Sequence, residues 1–547
     1  MKRWPIFFLL TIIFFLHFYR LYDIPPGLNN DEANIGYEAW SVVTTGRDQW
    51  GNFLPLVFQG FGNWSLPVYI YLTVPFVLIL GLTVPAVRAV SALSFLAMVL
   101  LVYAIVKKLR PRIAFPAAVM TAATPWIYGL TRIANEAPLA IAFFLLAVYF
   151  FLLSRRKQIL VVLGLIFMVL AMMTYYGVWI FAIAYTFILA YFYWRSFVWN
   201  KINLLSASAV VLTGIILVYQ VTLVQRGNAR LNQVNLMNDR AIVGQLNAER
   251  GACNGKFYPL ICKLLFNRPS LFIKEYVSNY LSHFSLRDWF IVSANKGILP
   301  PGGYFFIIQA PLMLAGLWAL LRNGSALEKR VLILWLVLAP LSDSVTGSGN
   351  FTRAFLIAPV ISVLSAYSFI VLPKLPTIAI WGVIFISWVR FQLTYNSFFP
   401  VFHSLYTHYE YQPLMKELNG ESLPIYLSSR FRDTKQYIFY LFYNRIPPID
   451  FQRRLNVIKE VDSDGWVWVK QIGNRSFVKS LPQIKELPQR SILVGAAKEE
   501  IEPFVNKYQY CAGIALSDPK IIYFLNGDPA FSILPITKET KEITCQN

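Results

Sequence analysis

Two adjacent acids, Asp31 and Glu32, sit in the stretch GLNNDEANIGYEAW at 27–40, with Asn30 before them and Asn34, Tyr37 and Glu38 close behind. A carboxylate so placed can take a proton from a hydroxyl. It can equally complement the positive end of a helix, with Asn30 as the cap. The spacing of Ile35, Ala39 and Val42 or Val43 predicts a helix beginning at the acid pair and stopping at Gly46. Capping explains one acid. It explains less well why an acidic turn should lie against a membrane, where burying a carboxylate is costly. A second acid, Glu136, ends the short loop in PWIYGLTRIANEAPLA, just before Pro138, and a capping role competes there too. A third loop, SDSVTGSGNFTRAFLIAP, carries Asp343 and Arg353, while Arg132 and Arg88 lie near the same ends of their apolar stretches. Arginine grips a phosphate in bidentate fashion. Acids and arginines gathered at one membrane face suit chemistry on a lipid phosphate.

The elements that must position these residues are apolar. Of 547 residues, 56% are hydrophobic and only 14% charged, well below the quarter typical of soluble domains, which predicts a polytopic membrane protein. About eleven stretches are long and apolar enough to cross, near 4–20, 85–106, 113–130, 137–153, 158–175, 177–194, 203–222, 303–321, 330–345, 353–372 and 376–394. The first has basic residues ahead of it and no small-residue cleavage site after it, so it reads as a retained span. A further stretch, LPVYIYLTVPFVLILGL at 66–82, is ambiguous. If it does not cross, Lys2 and Arg3, Lys107 to Arg112, Arg155 to Lys157, Arg195 and Lys201, Lys329 and Arg330, and Lys374 all share the N-terminal side, with Glu328 the lone acid among them. Crossing would break that pattern, and Pro67 and Pro75 suit a bent interfacial helix. The net charge of +21 is therefore a topology signal and not a nucleic-acid footprint.

This topology puts 21–84, 223–302 and the tail outside, with the N-terminus in the cytoplasm. Runs such as LPIYLSS, GWVWVKQI, SILVGAA and KIIYFLN predict a soluble α/β domain in the tail. The organisation expected is a membrane domain over 1–395 and an extracytoplasmic domain over 396–547. If both cysteine-bearing regions are extracytoplasmic, Cys253 with Cys262 and Cys511 with Cys545 are plausible disulfides, against free buried thiols. FSLRDWFIVSANKGILPPGGYF at 284–305, with His283 just before it and Arg287, Asp288, Asn295 and Lys296 within, reads as a loop ordered against the membrane, with a substrate-contacting loop as the competing reading. Sequons at Asn63, Asn350 and Asn474 carry no functional information by themselves.

DEANIGYEA at 31–39, GRDQWG at 46–51, LPVYIYL at 66–72, VPAVRAVSAL at 84–93, TPWIYGLTRIANEA at 124–137 and FTRAFLIAPV at 351–360 together give a resemblance over roughly 1–395. The chain resembles the GT-C glycosyltransferases, specifically the branch of protein O-mannosyltransferases and lipid A aminoarabinose transferases. The resemblance implies a helical membrane bundle with a long first outer loop, in a bacterial or archaeal inner membrane. It implies inverting transfer of one sugar from a polyprenyl-phosphate donor to an extracytoplasmic acceptor hydroxyl on protein, lipid or glycan. Asp31 matches the general base, and Glu32 would orient the acceptor or the base. Glu136 stands where relatives carry an Asp that shapes the site. Arg353, Arg132 and Arg88 would bind the donor phosphate, and Asn34 and Tyr37 the acceptor or sugar. The leaving phosphate is already anionic, so arginine can stabilise it without a metal, and no cofactor is expected.

Three other classes compete. A flippase or transporter of lipid-linked sugars predicts charges at mid-membrane and repeated halves, whereas the acids here gather at one face. A non-enzymatic scaffold leaves the acids and arginines without a shared task. An O-antigen ligase or polymerase also uses lipid-linked glycans but lacks the DE loop after the first span.

Overall fold

The structure, a computed structural model, describes residues 11–12, 14–61, 64–154, 157–193, 201–224, 240–292, 298–346, 352–430, 435–453, 455–461, 466–540 and 544–545. Asn63, Asn295, Lys296, Asn350 and the topology residues Lys2, Arg3, Arg155, Arg156 and Arg195 lie outside them. The chain divides into two compact units: 1–19, 66–69 and 90–392 form the first, and 20–65, 70–89 and 393–547 the second.

The first unit is helical. Among the described residues, five helices are long and apolar enough to cross a membrane: Val84–Leu109, Glu136–Ser154, Asn203–Thr222, Arg353–Ile370 and Lys374–Asn396. Apolar helices of this length place the chain in the membrane. The expectation of eleven spans is not met at full length, and the reason is local. In the stretch at 113–130, Pro125 forces Thr124 into an extended conformation and divides it into Ala114–Ala123 and Pro125–Leu130. Leu160–Met172 has 13 residues, and Pro67–Leu80, the ambiguous stretch, has 14. At 1.5 Å per residue, the latter covers about 21 Å, short of the ~30 Å hydrocarbon core. Leu78, Ile79 and Leu80 on it are exposed.

Small residues let these helices pack. A Cβ on Gly316, in the helix Gln309–Asn323, would collide with the Leu364 carbonyl of Ala358–Tyr367. Glu328, the lone acid among the basic clusters, is buried. It closes a capping box with Ser325 and accepts from Arg110 Nε at 2.8 Å.

The second unit joins the loop after the first apolar stretch to the tail. Eight strands make one sheet: β1 Ile425–Ser428, β2 Val457–Val461, β3 Val467–Ile472, β4 Arg475–Val478, β5 Arg490–Ala496, β6 Ile514–Leu516, β7 Lys520–Tyr523 and β8 Pro529–Lys538. Their order is β7-β8-β5-β1-β4-β3-β2, with β6 also on β8. Only β1 runs parallel to its neighbours, β4 and β5. Leu493, Leu534, Ile536 and Ile501 fill the core on one face. The first-loop helix Asn30–Thr45 packs on the tail helix Gln436–Tyr443 through Gly36, where a Cβ would lie 2.6 Å from Phe442 and from Val87. Gln452 Nε2 donates to the Asp48 carbonyl at 2.8 Å. A division at 395/396 therefore separates segments that are packed together. Such contacts join residues some 400 positions apart, and no local pattern encodes them.

Candidate active site

The acid pair is a helix start, and its two members are treated differently. Asn29, not Asn30, is the N-cap. Its side chain accepts from Glu32 N at 2.8 Å, and Glu32 Oε2 accepts from Asn29 N at 3.2 Å, completing a capping box. Gly46 ends the helix as expected, with φ 67° and its N–H on the Val42 carbonyl. Glu32 is buried and also accepts from Arg88 Nε at 2.9 Å and Nη2 at 3.3 Å. Asp31, one residue earlier, is exposed.

Arg88 corrects the expectation of a phosphate ligand. Its side chain is 0% exposed, and besides Glu32 it donates to the carbonyls of Leu21, Pro25 and Gly27 at 3.1, 2.9 and 2.6 Å. A guanidinium has five N–H groups, and all of these bonds are internal. Arg88 is the staple that folds the start of the loop back onto the helix. Glu32 is correspondingly the partner of that staple, not an acid facing a substrate.

Arg132 is corrected in the same way. It is buried in the first unit, and its Nη groups donate to the carbonyls of His17 at 2.5 Å and Tyr19 at 2.8 Å. These are carbonyls at the end of the first helix, where a cation is favoured. The guanidinium also lies 5.4 Å from the centre of the Tyr128 ring.

Asn34 and Tyr37 do not face an acceptor. Both are buried: Asn34 Oδ1 accepts from Gln49 Nε2 at 3.0 Å, and the Tyr37 hydroxyl donates to the Ile446 carbonyl at 2.9 Å. Helical spacing put them near Asp31, but Asn34 faces Gln49 and Gly60 of the same loop, and Tyr37 faces the tail. Glu38, on the same helix, accepts from Gln49 N at 2.9 Å and Gln49 Nε2 at 2.7 Å. Burial, and then the nearby Asp48 carboxylate, hold the Glu38 carboxyl well above the usual carboxylate range.

Glu136 is the first residue of its helix, and capping falls to its neighbour. Asn135 Oδ1 accepts from Ala137 N at 2.9 Å, and the Asn135 backbone is tied to Ser91 Oγ at 3.1 Å in both directions. Glu136 is left half-buried at the helix start.

Arg353 differs from the other two arginines. Its side chain is 26% exposed, with Nη1 donating to Thr346 Oγ1 at 2.6 Å and lying 3.9 Å from Asp343 Oδ1. Asp343 is buried against His283, whose Nε2 is 2.7 Å from Asp343 Oδ2. The two residues are 60 positions apart, and the sequence holds no signal that pairs them.

Two further features bear on ligands. Cys253 is disulfide-bonded to Cys262, and Cys511 to Cys545. In the first unit, an apolar cavity of about 790 Å³ runs along the helices between Phe151 and Val218, lined by Leu165, Met168, Trp179, Phe187 and Ile215 among others.

Residues 65–219 match the family described as dolichyl-phosphate-mannose-protein mannosyltransferase. No curated protein matches the chain in sequence. Among solved structures, the chain is similar to ArnT from Cupriavidus metallidurans bound to undecaprenyl phosphate, at 11% identity and a TM-score of 0.56 over 98% of each chain. It also aligns to the apo oligosaccharyltransferase of Archaeoglobus fulgidus, at 14% identity and a TM-score of 0.46 over 81% of this chain and 64% of that one. The resemblance to GT-C glycosyltransferases read from the sequence thus extends to the fold, which is ArnT-like along nearly the whole chain.

Proposed function

We propose that the protein is an inverting membrane glycosyltransferase. It moves one sugar from a polyprenyl-phosphate donor to a hydroxyl of a protein, lipid or glycan on the extracytoplasmic side. The observation that carries the reading is the mannosyltransferase family match over 65–219 in a chain whose fold follows ArnT end to end. That ArnT is bound to undecaprenyl phosphate. The apolar cavity between the spans offers a berth for a polyprenyl tail, because burying isoprenoid surface there needs no polar partner.

Asp31 is the general base. Of the paired acids it is the exposed one, while Glu32 is committed to Asn29 and Arg88. As the acceptor oxygen attacks the anomeric carbon, its proton passes to the Asp31 carboxylate, and the lipid phosphate leaves with the bonding electrons of the glycosidic link. Arg353 binds that phosphate and stabilises its growing charge. Glu136 shapes the acceptor side. An obligatory metal is not needed, so transfer should survive a chelator.

The test is to incubate the purified protein with a panel of polyprenyl-phosphate sugars and follow donor loss. Wild type consumes one donor, with and without EDTA. Asp31→Asn slows transfer by about 100- to 10,000-fold, the usual contribution of a positioned base. A folded Asp31→Asn protein that transfers at the wild-type rate removes Asp31 as the base.

A further inference from the structure

His283 ends the helix Arg268–Ser282, and both of its ring nitrogens meet oxygen: Nδ1 lies 2.6 Å from the Asn279 carbonyl and Nε2 2.7 Å from Asp343 Oδ2. A carbonyl only accepts, so Nδ1 carries a hydrogen, and one proton is shared between Nε2 and the Asp343 carboxyl. The imidazole is 0% exposed and the carboxyl 1%. The Thr346 hydroxyl turns its one hydrogen toward Asp343, between the main-chain carbonyl at 3.0 Å and carboxyl Oδ1 at 3.2 Å, and Thr346 Oγ1 in turn accepts from Arg353 Nη1 at 2.6 Å. A continuous chain thus runs from Asn279 through His283, Asp343 and Thr346 to Arg353, all within the first unit.

Each link is directional. The ring, held by the helix carbonyl, sets which way the buried carboxyl faces. The carboxyl, together with the Asp343 main-chain carbonyl, sets the Thr346 hydroxyl, and the hydroxyl and the carboxyl oxygen 3.9 Å away set one arm of a partly exposed guanidinium. Mere attachment of the helix does not require this arrangement. Tyr276 and Tyr280 already donate to the carbonyls of Leu341 and Val337 at 3.2 and 2.8 Å, and Asn279 Nδ2 donates to that of Ser344 at 3.4 Å. What His283 adds is orientation of the one candidate arginine that is not fully enclosed. We propose that His283 is a positioning residue that holds Arg353, through Asp343 and Thr346, in the orientation that receives a lipid phosphate. The inference rests on the role given to Arg353 above.

The test is a double-mutant cycle on the full-length protein in detergent, reading affinity for undecaprenyl phosphate. His283→Ala is expected to weaken binding about tenfold, the scale of one hydrogen bond to a charged group. His283→Gln, which keeps donors at that position, is expected to recover most of the loss. Arg353→Ala weakens binding at least as much, and adding His283→Ala to it brings no further loss. Wild-type affinity in His283→Ala, or single losses that multiply in the double variant, overturns the inference and leaves the role of Arg353 standing. Wild-type affinity in Arg353→Ala overturns both. Should His283→Ala fail to fold, Asp343→Ala takes its place in the same cycle, with the same outcomes deciding.

Discussion

Two arginine–carboxylate pairs, one in each unit, invite comparison. Arg88 meets Glu32 at 2.9 Å, with side chains 0% and 2% exposed. Arg353 lies 3.9 Å from Asp343, with its own side chain 26% exposed and the carboxyl 1%. In the first pair the guanidinium spends every donor on the fold. In the second, a buried carboxyl is already occupied by His283, and the arginine is held through a hydroxyl. Residue type alone presents both as phosphate ligands. Accessibility and donor count separate a staple from a hand.

The comparison breaks most visibly at Arg88. Arg88→Ala leaves the Glu32 carboxylate and three loop carbonyls without their donor in a buried site, so a loss of about 3–5 kcal/mol in stability is expected. Thermal unfolding in detergent measures it. If Arg88→Ala melts with wild type yet loses donor affinity, the assignment is reversed.

Arg353→Ala should do the opposite. It leaves the melting temperature nearly unchanged and raises the donor KM about ten- to hundredfold, the range for a lost charge-assisted bond to phosphate. A parallel loss of stability would make Arg353 another staple.

Asn29→Ala removes the cap that holds Glu32 beside Arg88 and is expected to cost about 1 kcal/mol, read as a fall in melting temperature. An unchanged melting temperature would mean that Arg88 alone keeps the helix start in place.

Glu38 supplies the effect that only a change of pH reveals. Its folded carboxyl titrates above its unfolded one, so the folded state holds the proton more tightly. Its contribution to stability is complete below the unfolded value, about pH 4.3, and declines as pH rises toward the raised folded value. Glu38→Gln should flatten that decline. Unfolding curves at several pH values from 4 upward check it, and an unchanged slope would show that another group governs it.

Much of this protein is legible along the chain. Apolar runs must become helices in a bilayer, because backbone groups there have no water to bond. The helix at 30–45, its stop at Gly46 and its acidic start follow from spacing and from the conformational freedom of glycine. The resemblance to the GT-C glycosyltransferases was readable from short motifs, and the fold agrees with it. What the chain does not carry is which face of a helix is covered. Asn34 and Tyr37 sit on the helix of Asp31, yet both are buried: Gln49 and Gly60 of the same loop cover Asn34, and the tail covers Tyr37, whose hydroxyl meets Ile446, 409 positions away. Arg88, Arg132 and Arg353 are one residue type near the ends of apolar stretches. Only the tertiary structure decides that the first two are surrounded by carbonyls while the third meets Thr346 and lies near an Asp343 that His283 holds. Local pattern determines the helices, because their hydrogen bonds are local. The use of a side chain depends on neighbours that sequence distance does not constrain.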